Sequence, residues 1–244
     1  VRSHINSRDP LAHEVLAAVL QVRSARGSDR PPSLQVLLWR RALDPHLGRW
    51  SLPGGRLRAD EDVETSIRRQ LAEKVDIRQL RHVEQLAVFS DPRRVPGPRV
   101  VATAFLGLVP SDVDPEVPED TAWHPVEDPP RTAFDHRDIV TGARDRLRAK
   151  LSYTNLGFAL VPRRFPISVL RDHYSAALGY RVSATNLQRV LSRRGLLTDT
   201  GDTAPSGRSG GRPATLYSFV HDDMQVTDPF AAFKPPSAGR ARTS

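Results

Sequence analysis

Cysteine is absent from the 244 residues. That excludes a disulfide framework and any Cys-ligated zinc site. The composition fits a reducing compartment, and the cytoplasm is the expected location. No apolar run approaches the roughly 20 residues needed to cross a bilayer, and the N-terminal residues lack a secretory leader pattern. No membrane partner is expected. Lysine is scarce: only Lys74, Lys150 and Lys234 stand among the 36 basic residues. An arginine bias of this kind reflects a GC-rich genome as readily as a function.

What the chain does have is an uneven charge. Residues 1–130 hold 18 Lys/Arg against 19 Asp/Glu, and residues 131–244 hold 18 against 9. The second half is therefore basic, a pointer to nucleic acid, although a solvated face with no partner has the same composition. The length suits one large domain or two modest ones. Hydrophobic patterning predicts strands over 13–23, 34–40, 80–89, 100–109 and 122–126, and helices over 62–75 and 135–151. Residues 1–10 and 223–244 read as disordered ends, the latter rich in proline and poor in apolar residues. Mixed strands around one long helix, followed by another, place the first part of the chain in the α/β class.

The densest motif lies between residues 55 and 77. Gly55, Glu61, Arg69, Leu71, Glu73 and Ile77 stand in a register that resembles a Nudix box, and Trp50-Ser51-Leu52-Pro53-Gly54-Gly55 precedes them as it does in Nudix proteins. Gln70 and Lys74 occupy positions where that pattern has glutamates, and Asp76 one where it has glycine. Residues three and four apart share a helix face, so Gln70, Glu73 and Lys74 are expected to point into one region. Three carboxylates there would collect the divalent cations that cleave a pyrophosphate. One carboxylate, one amide and one ammonium would not, and Lys74 repels a cation. A plain amphipathic helix after a Pro-Gly-Gly turn explains the helix but not six positions in register. The resemblance implies an α/β/α sandwich that binds a nucleotide without hydrolysing it, with no catalytic residue and no metal ligand.

The basic half follows a different plan. A helix is predicted from Ile167 to Leu178, a turn at Gly179–Val182, and a second helix from an N-cap at Ser183 to Arg194. Leu187, Val190 and Leu191 face inward, leaving Thr185, Asn186, Arg189, Ser192 and Arg193 outside. Short strands at 196–198 and 216–219 flank a Gly/Ser-rich stretch that carries Arg208 and Arg212. Helix, turn, helix, hairpin is the order of a winged helix-turn-helix, whose second helix enters a major groove. Arg189 and Arg193 suit guanine edges or phosphates, Asn186 suits adenine, and the wing arginines suit phosphate or the minor groove. A basic accessory domain without DNA is the plain alternative. RNA binding is disfavoured because this half lacks paired stacking aromatics.

A degenerate Nudix domain followed by a winged helix is similar to the NrtR family, Nudix-related transcriptional regulators of NAD metabolism. The resemblance is carried by Trp50–Gly55, by Phe134-Asp135-His136, by residues 146–153 and by Gly211-Arg212-Pro213-Ala214-Thr215-Leu216-Tyr217. It implies an effector-binding domain over 11–152 and a DNA-binding domain over 153–222. It further implies a homodimeric repressor of NAD biosynthesis or salvage genes on palindromic operator DNA, with ADP-ribose or a related nucleotide as effector and no required cofactor. For that nucleotide, Gly54 and Gly55 would let the backbone approach a pyrophosphate. Arg49 and Arg69 would offset phosphate charge, with Arg69 alternatively pairing with Glu73 or Glu61. Glu73 stays in the ligand set, or pairs with Arg69 or Lys74. Trp39 and Trp50 would stack on adenine or belong to the core. His136 matches a position near the domain junction, or is a bonded structural histidine. The competing reading is an active hydrolase of ADP-ribose-type substrates with an accessory basic domain, drawing carboxylates from Glu61, Glu73 and some of Glu84, Glu116 and Glu119.

Overall fold

The first strand, β1 (Ala12–Arg23), is apolar on both faces from Val15 to Leu20 because both faces are covered there. In the computed structural model, which describes residues 11–24, 30–204 and 213–228, it runs through the middle of a seven-stranded sheet. Val15, Ala17 and Val19 point to one side, and Leu16, Ala18, Leu20 and Val22 to the other. This period-two division between two cores explains why the middle of the strand, Val15 to Leu20, reads as an unbroken apolar run. Its neighbours are β2 (Ser33–Arg40), antiparallel, and β6 (Val100–Leu108), parallel in the register Ala12↔Val100 to Leu20↔Leu108. β5 (His82–Phe89) closes one edge against β6. β3 (Trp50–Ser51) and β7 (Thr121–Pro125) pair with β2, and β4 (Gly54–Arg56) pairs with β1.

One face carries α1 (Val63–Val75), which sends Ile67, Leu71 and Val75 against Val15, Ala17 and Phe105. The Asp62 carboxylate caps its start by accepting from the Thr65 N–H at 2.7 Å. Its end is Asp76, left-handed at φ 50°. The Nudix pattern has glycine here because the helix must stop in that conformation; Asp is among the few residues that visit it. The other face carries α2 (His136–Tyr153), whose Ile139, Val140, Ala143, Leu147 and Leu151 form the predicted apolar stripe. Helix, sheet and helix make the expected α/β/α sandwich.

After a one-turn 3₁₀ helix (Leu156–Ala159) come β8 (Phe165–Pro166), α3 (Ile167–Leu178), α4 (Ala184–Arg193), β9 (Leu197–Ala204) and β10 (Ala214–Phe219). The last strands form a small sheet in the order β8-β10-β9. Gly179, at φ 79°, ends α3, and Ser183 caps α4. Both wing strands are longer than predicted: Thr203 pairs with Thr215 and Asp199 with Tyr217, so polar residues that read as turn chemistry extend the ladder.

The cores of the two domains are continuous. Leu160, Leu170, Tyr174, Leu187 and Leu191 belong to the same buried cluster as Leu16, Leu34 and Leu147. Backbone and side-chain bonds cross the seam, from the Ser111 N–H to Leu160 O at 3.1 Å and from Arg148 Nε to Ala177 O at 3.0 Å. Residues 223–228, expected as tail, depart from that expectation. Val226 bridges to Thr154, the Gln225 N–H donates to Asn155 Oδ1 at 2.6 Å, and Asp228 pairs with Arg194 at 3.1 Å. The sequence offered no apolar run there because the docking is polar. Among the described residues, no helix is long and apolar enough to cross a membrane.

Candidate ligand pocket and nucleic-acid interface

The Trp50–Gly55 segment is pinned from two sides. Its Leu52 N–H donates to His136 Nδ1 at 2.9 Å, and Trp39 Nε1 donates to Leu52 O at 3.1 Å. Burial drives the His136 pKa down to about 3, so the ring is neutral and its Nδ1 is free to accept. His136 is thus a bonded structural histidine, one of the two readings its position allowed. Gly54 is required by packing: a Cβ there would lie 2.1 Å from Val15 O, because β4 presses onto β1. A Cβ at Gly55 would lie 2.7 Å from the Gln70 amide.

Beside this segment lies a cavity of about 220 Å³, lined in part by Trp39, Arg41, Ser51, Lys74 and Phe134, and by Gly54 and Gly55. Of the residues assigned to the ligand, Trp39, Gly54 and Gly55 line it. The others do not. Trp50 has the Arg40 guanidinium 4.6 Å from its ring centre and makes an edge-to-face contact with His124, ring centres 4.3 Å apart. Arg49 sits in the turn before β3 with its N–H on His46 O. Arg69 takes its alternative reading. It donates to Glu61 at 2.6 and 2.8 Å and to Glu73 at 3.0 Å, which engages both box carboxylates and withdraws the guanidinium from a phosphate. Glu73 correspondingly faces outward, its side chain 52 % exposed.

The expectation that Gln70, Glu73 and Lys74 share one region fails. Positions i+3 and i+4 lie on opposite sides of i, about 100° apart around the helix axis. Gln70 is buried, with its Nε2 toward Arg56 O at 3.4 Å and its Oε1 without a partner. Lys74 alone turns into the cavity. Its Nζ donates to Gly54 O at 2.5 Å and lies 5.3 Å from the centre of the Trp39 ring.

These donors do not fit a divalent cation, which needs several hard oxygens. Glu61 accepts from Arg69, from Ser66 Oγ and from the Arg58 N–H; the Arg69 bonds above all hold its pKa at about 2. Glu73 points away, and Lys74 adds a positive charge. Among the described residues, no cluster of three His, Asp or Glu is placed to hold a metal. The wall's one carboxylate, Glu14, pairs with Arg94 at 2.6 Å. Arg94 also binds Asp135 through two bonds of 2.8 Å, and its side chain is 1 % exposed.

Sequence reasoning missed Arg41, Ser51 and Glu14 in this wall. Ser51 and Phe134 lay inside quoted motifs, yet nothing in the sequence said that the Ser51 hydroxyl would be buried without a partner.

The second site is the outer face of α4. Thr185, Asn186, Arg189, Ser192 and Arg193 are all exposed, while Leu187 and Leu191 are buried beneath them. Arg189 Nη2 donates to Asn186 Oδ1 at 2.7 Å. Gln188 Nε2 donates to the Tyr217 hydroxyl at 2.8 Å and ties α4 to β10. Arg208 and Arg212 lie outside the described residues.

Residues 14–142 match the family model of the NUDIX domain, and residues 157–219 that of the NrtR DNA-binding winged helix domain. The chain is 29 % identical over 203 residues to the ADPR responsive transcriptional repressor NtrR of Acinetobacter baylyi, covering 80 % of each. Its fold is similar to the crystal structure of Shewanella oneidensis NrtR, with TM-score 0.71, 28 % identity, and 85 % of this chain and 93 % of that one covered. Against the same protein complexed with a 27mer DNA the TM-score is 0.69 at 29 % identity, covering 84 % and 92 %. The cation in the box, the exposed face of α4 and these matches agree: the chain belongs to the NUDIX family, with an NrtR DNA-binding winged helix domain joined behind it.

Proposed function

We propose that this chain is a DNA-binding transcriptional repressor of NAD biosynthesis or salvage genes, whose NUDIX domain senses ADP-ribose or a related nucleotide and does not hydrolyse it. The observation that carries this reading is the outer face of α4. Five polar or basic side chains are exposed on one face of a helix that a helix and a three-stranded sheet hold in place. The similarity to a NrtR that has been crystallised with DNA supports it. The absence of hydrolysis rests on Glu61 and Glu73 being engaged by Arg69 and on Lys74 in the cavity.

The active form is a homodimer on a palindromic operator, since two recognition helices must meet DNA about one helical turn apart, or a multiple of it. The effector acts through its different affinity for two arrangements of the dimer. The shared core couples the sites: Glu14 in the pocket wall is linked through Arg94 to Asp135 at the head of α2, and α2 reaches α3 through Arg148. A coupling of about 1–3 kcal/mol would change operator affinity by about 5- to 150-fold.

Fluorescence anisotropy on labelled DNA from the gene's own upstream region, against scrambled DNA at fixed salt, tests the reading. Salt is fixed because non-specific binding is driven by counterion release. Specific binding that changes with ADP-ribose is the expected result. Turnover of ADP-ribose with Mg²⁺ or Mn²⁺ and no preference for the upstream DNA would replace this reading with the hydrolase.

A further inference from the structure

We propose that Lys74 and Arg41 act as fixed cations in place of the divalent metal of a Nudix site, so that the cavity binds a diphosphate-bearing nucleotide without metal. The inference rests on the reading that this cavity is the nucleotide site. It goes further by naming what meets the ligand's charge.

Four observations carry it. The Lys74 ammonium is half-buried in the cavity wall, with one N–H on Gly54 O and the Trp39 ring beside it. An ammonium has three donors, so two remain for a ligand. Burial, with Arg69 nearby, lowers its pKa, and an arriving anion relieves that cost. Arg41 lines the same cavity, and no carboxylate pairs with it among the described residues. Its guanidinium donates to Pro45 O at 3.1 Å and lies 4.8 Å from the Phe134 ring. Arg49 and Arg131 add positive charge around His46, whose pKa is lowered by burial and by these arginines.

The Ser51 hydroxyl is an independent sign of a ligand. It is buried in the cavity wall with no hydrogen-bond partner, and such an orphan is costly unless something completes it. Glu14, the one carboxylate in the wall, is already neutralised by Arg94. A Mg²⁺ ion would meet two cations and a single engaged carboxylate; a diphosphate would meet two cations and an unpartnered hydroxyl. At about 220 Å³ the cavity is smaller than the roughly 300–1,000 Å³ of whole-ligand pockets. It therefore takes the diphosphate and its adjoining sugar, and the rest of the nucleotide lies across the mouth.

The test is calorimetric titration of ADP-ribose into the full chain, once with EDTA and once with excess Mg²⁺, for the wild type and for Lys74→Met. Equal wild-type affinity in the two buffers is expected, with Lys74→Met weaker by about tenfold or more in both, as for loss of a charge-assisted hydrogen bond. Operator binding without nucleotide reports that the variant is folded. If Lys74→Met does not fold, Arg41→Met carries the same expectation. Wild-type binding that requires Mg²⁺ overturns the inference and leaves the nucleotide sensor standing. Metal-free binding unaffected by either substitution also overturns it. No binding in either buffer removes the ADP-ribose sensor along with the inference.

Discussion

The Arg189 guanidinium donates to the Asn186 side-chain oxygen one helical turn away, at 2.7 Å, on the exposed face of α4. The bond restrains two flexible side chains before any DNA arrives. It also occupies the Asn186 side-chain oxygen, leaving its N–H₂ group as the donor not used by this bond.

Arg189→Ala is expected to cost about 1–3 kcal/mol of operator affinity if the side chain reads a base. Asn186→Ala should lose affinity through the same contact, so the double variant should fall short of the summed losses. Anisotropy with operator DNA measures all three. Strict additivity would mean that the pair does not act as a unit on DNA.

His136 gives the fold an acid sensitivity. Its folded pKa, about 3, lies below the ordinary 6.5, so its stabilising contribution is complete above 6.5. It is lost as pH falls toward 3, because the unfolded chain takes up a proton that the folded chain excludes. The slope approaches about 1.4 kcal/mol per pH unit within that window. Denaturant unfolding at pH 7 and pH 5 should show a larger loss for the wild type than for His136→Asn, which keeps an acceptor near the Leu52 N–H without the titration. Equal losses would place the acid sensitivity elsewhere.

Arg94 is the most deeply buried cation of the NUDIX domain's ion pairs, clamped between Glu14 and Asp135. Arg94→Met leaves two carboxylates facing each other with no cation. Breaking a buried pair by removing one partner costs about 3–5 kcal/mol. The carboxylates keep some exposure, 23 % and 18 %, so the low end is expected. Urea unfolding decides it: a loss below about 1 kcal/mol, the range of a surface pair, would show that water reaches the cluster.

Gly54→Ala places a methyl against Val15 O. The forced separation of β4 from β1 should cost at least the 1–3 kcal/mol or so of ordinary overpacking. It should also weaken nucleotide binding, since Gly54 O holds Lys74. A variant of normal stability that still lost the nucleotide would assign the glycine to the ligand instead.

Long elements were legible because their patterns have a local cause. β1 carries an unbroken apolar run from Val15 to Leu20 and β6 is interrupted only by Thr103 and Gly107, α1 announces itself through Asp62 and the box, and α4 through Ser183 and its two-faced sequence. β3, β4 and β8 span two or three residues each, too short for any period to register. The box showed that Gln70 and Lys74 replace carboxylates, but not that they part company around the helix. The Arg94 clamp was invisible because its partners are 41 and 80 residues away. Arg69 had two readings, and only the distances to Glu61 and Glu73 selected the pairing.

β1 backs both halves of the molecule at once. Its odd-numbered residues lie under the box helix, and its even-numbered ones join the core that runs on into the winged helix. In evolutionary terms, this strand has little room to drift. Operator preference can change through exposed positions on α4, and ligand preference through the cavity rim, each without disturbing the other. A single inserted or deleted residue between Val15 and Val22 would exchange the two faces and damage both cores together. Lineages of this protein should therefore accumulate length changes in the segments between strands and hold the length of β1 constant.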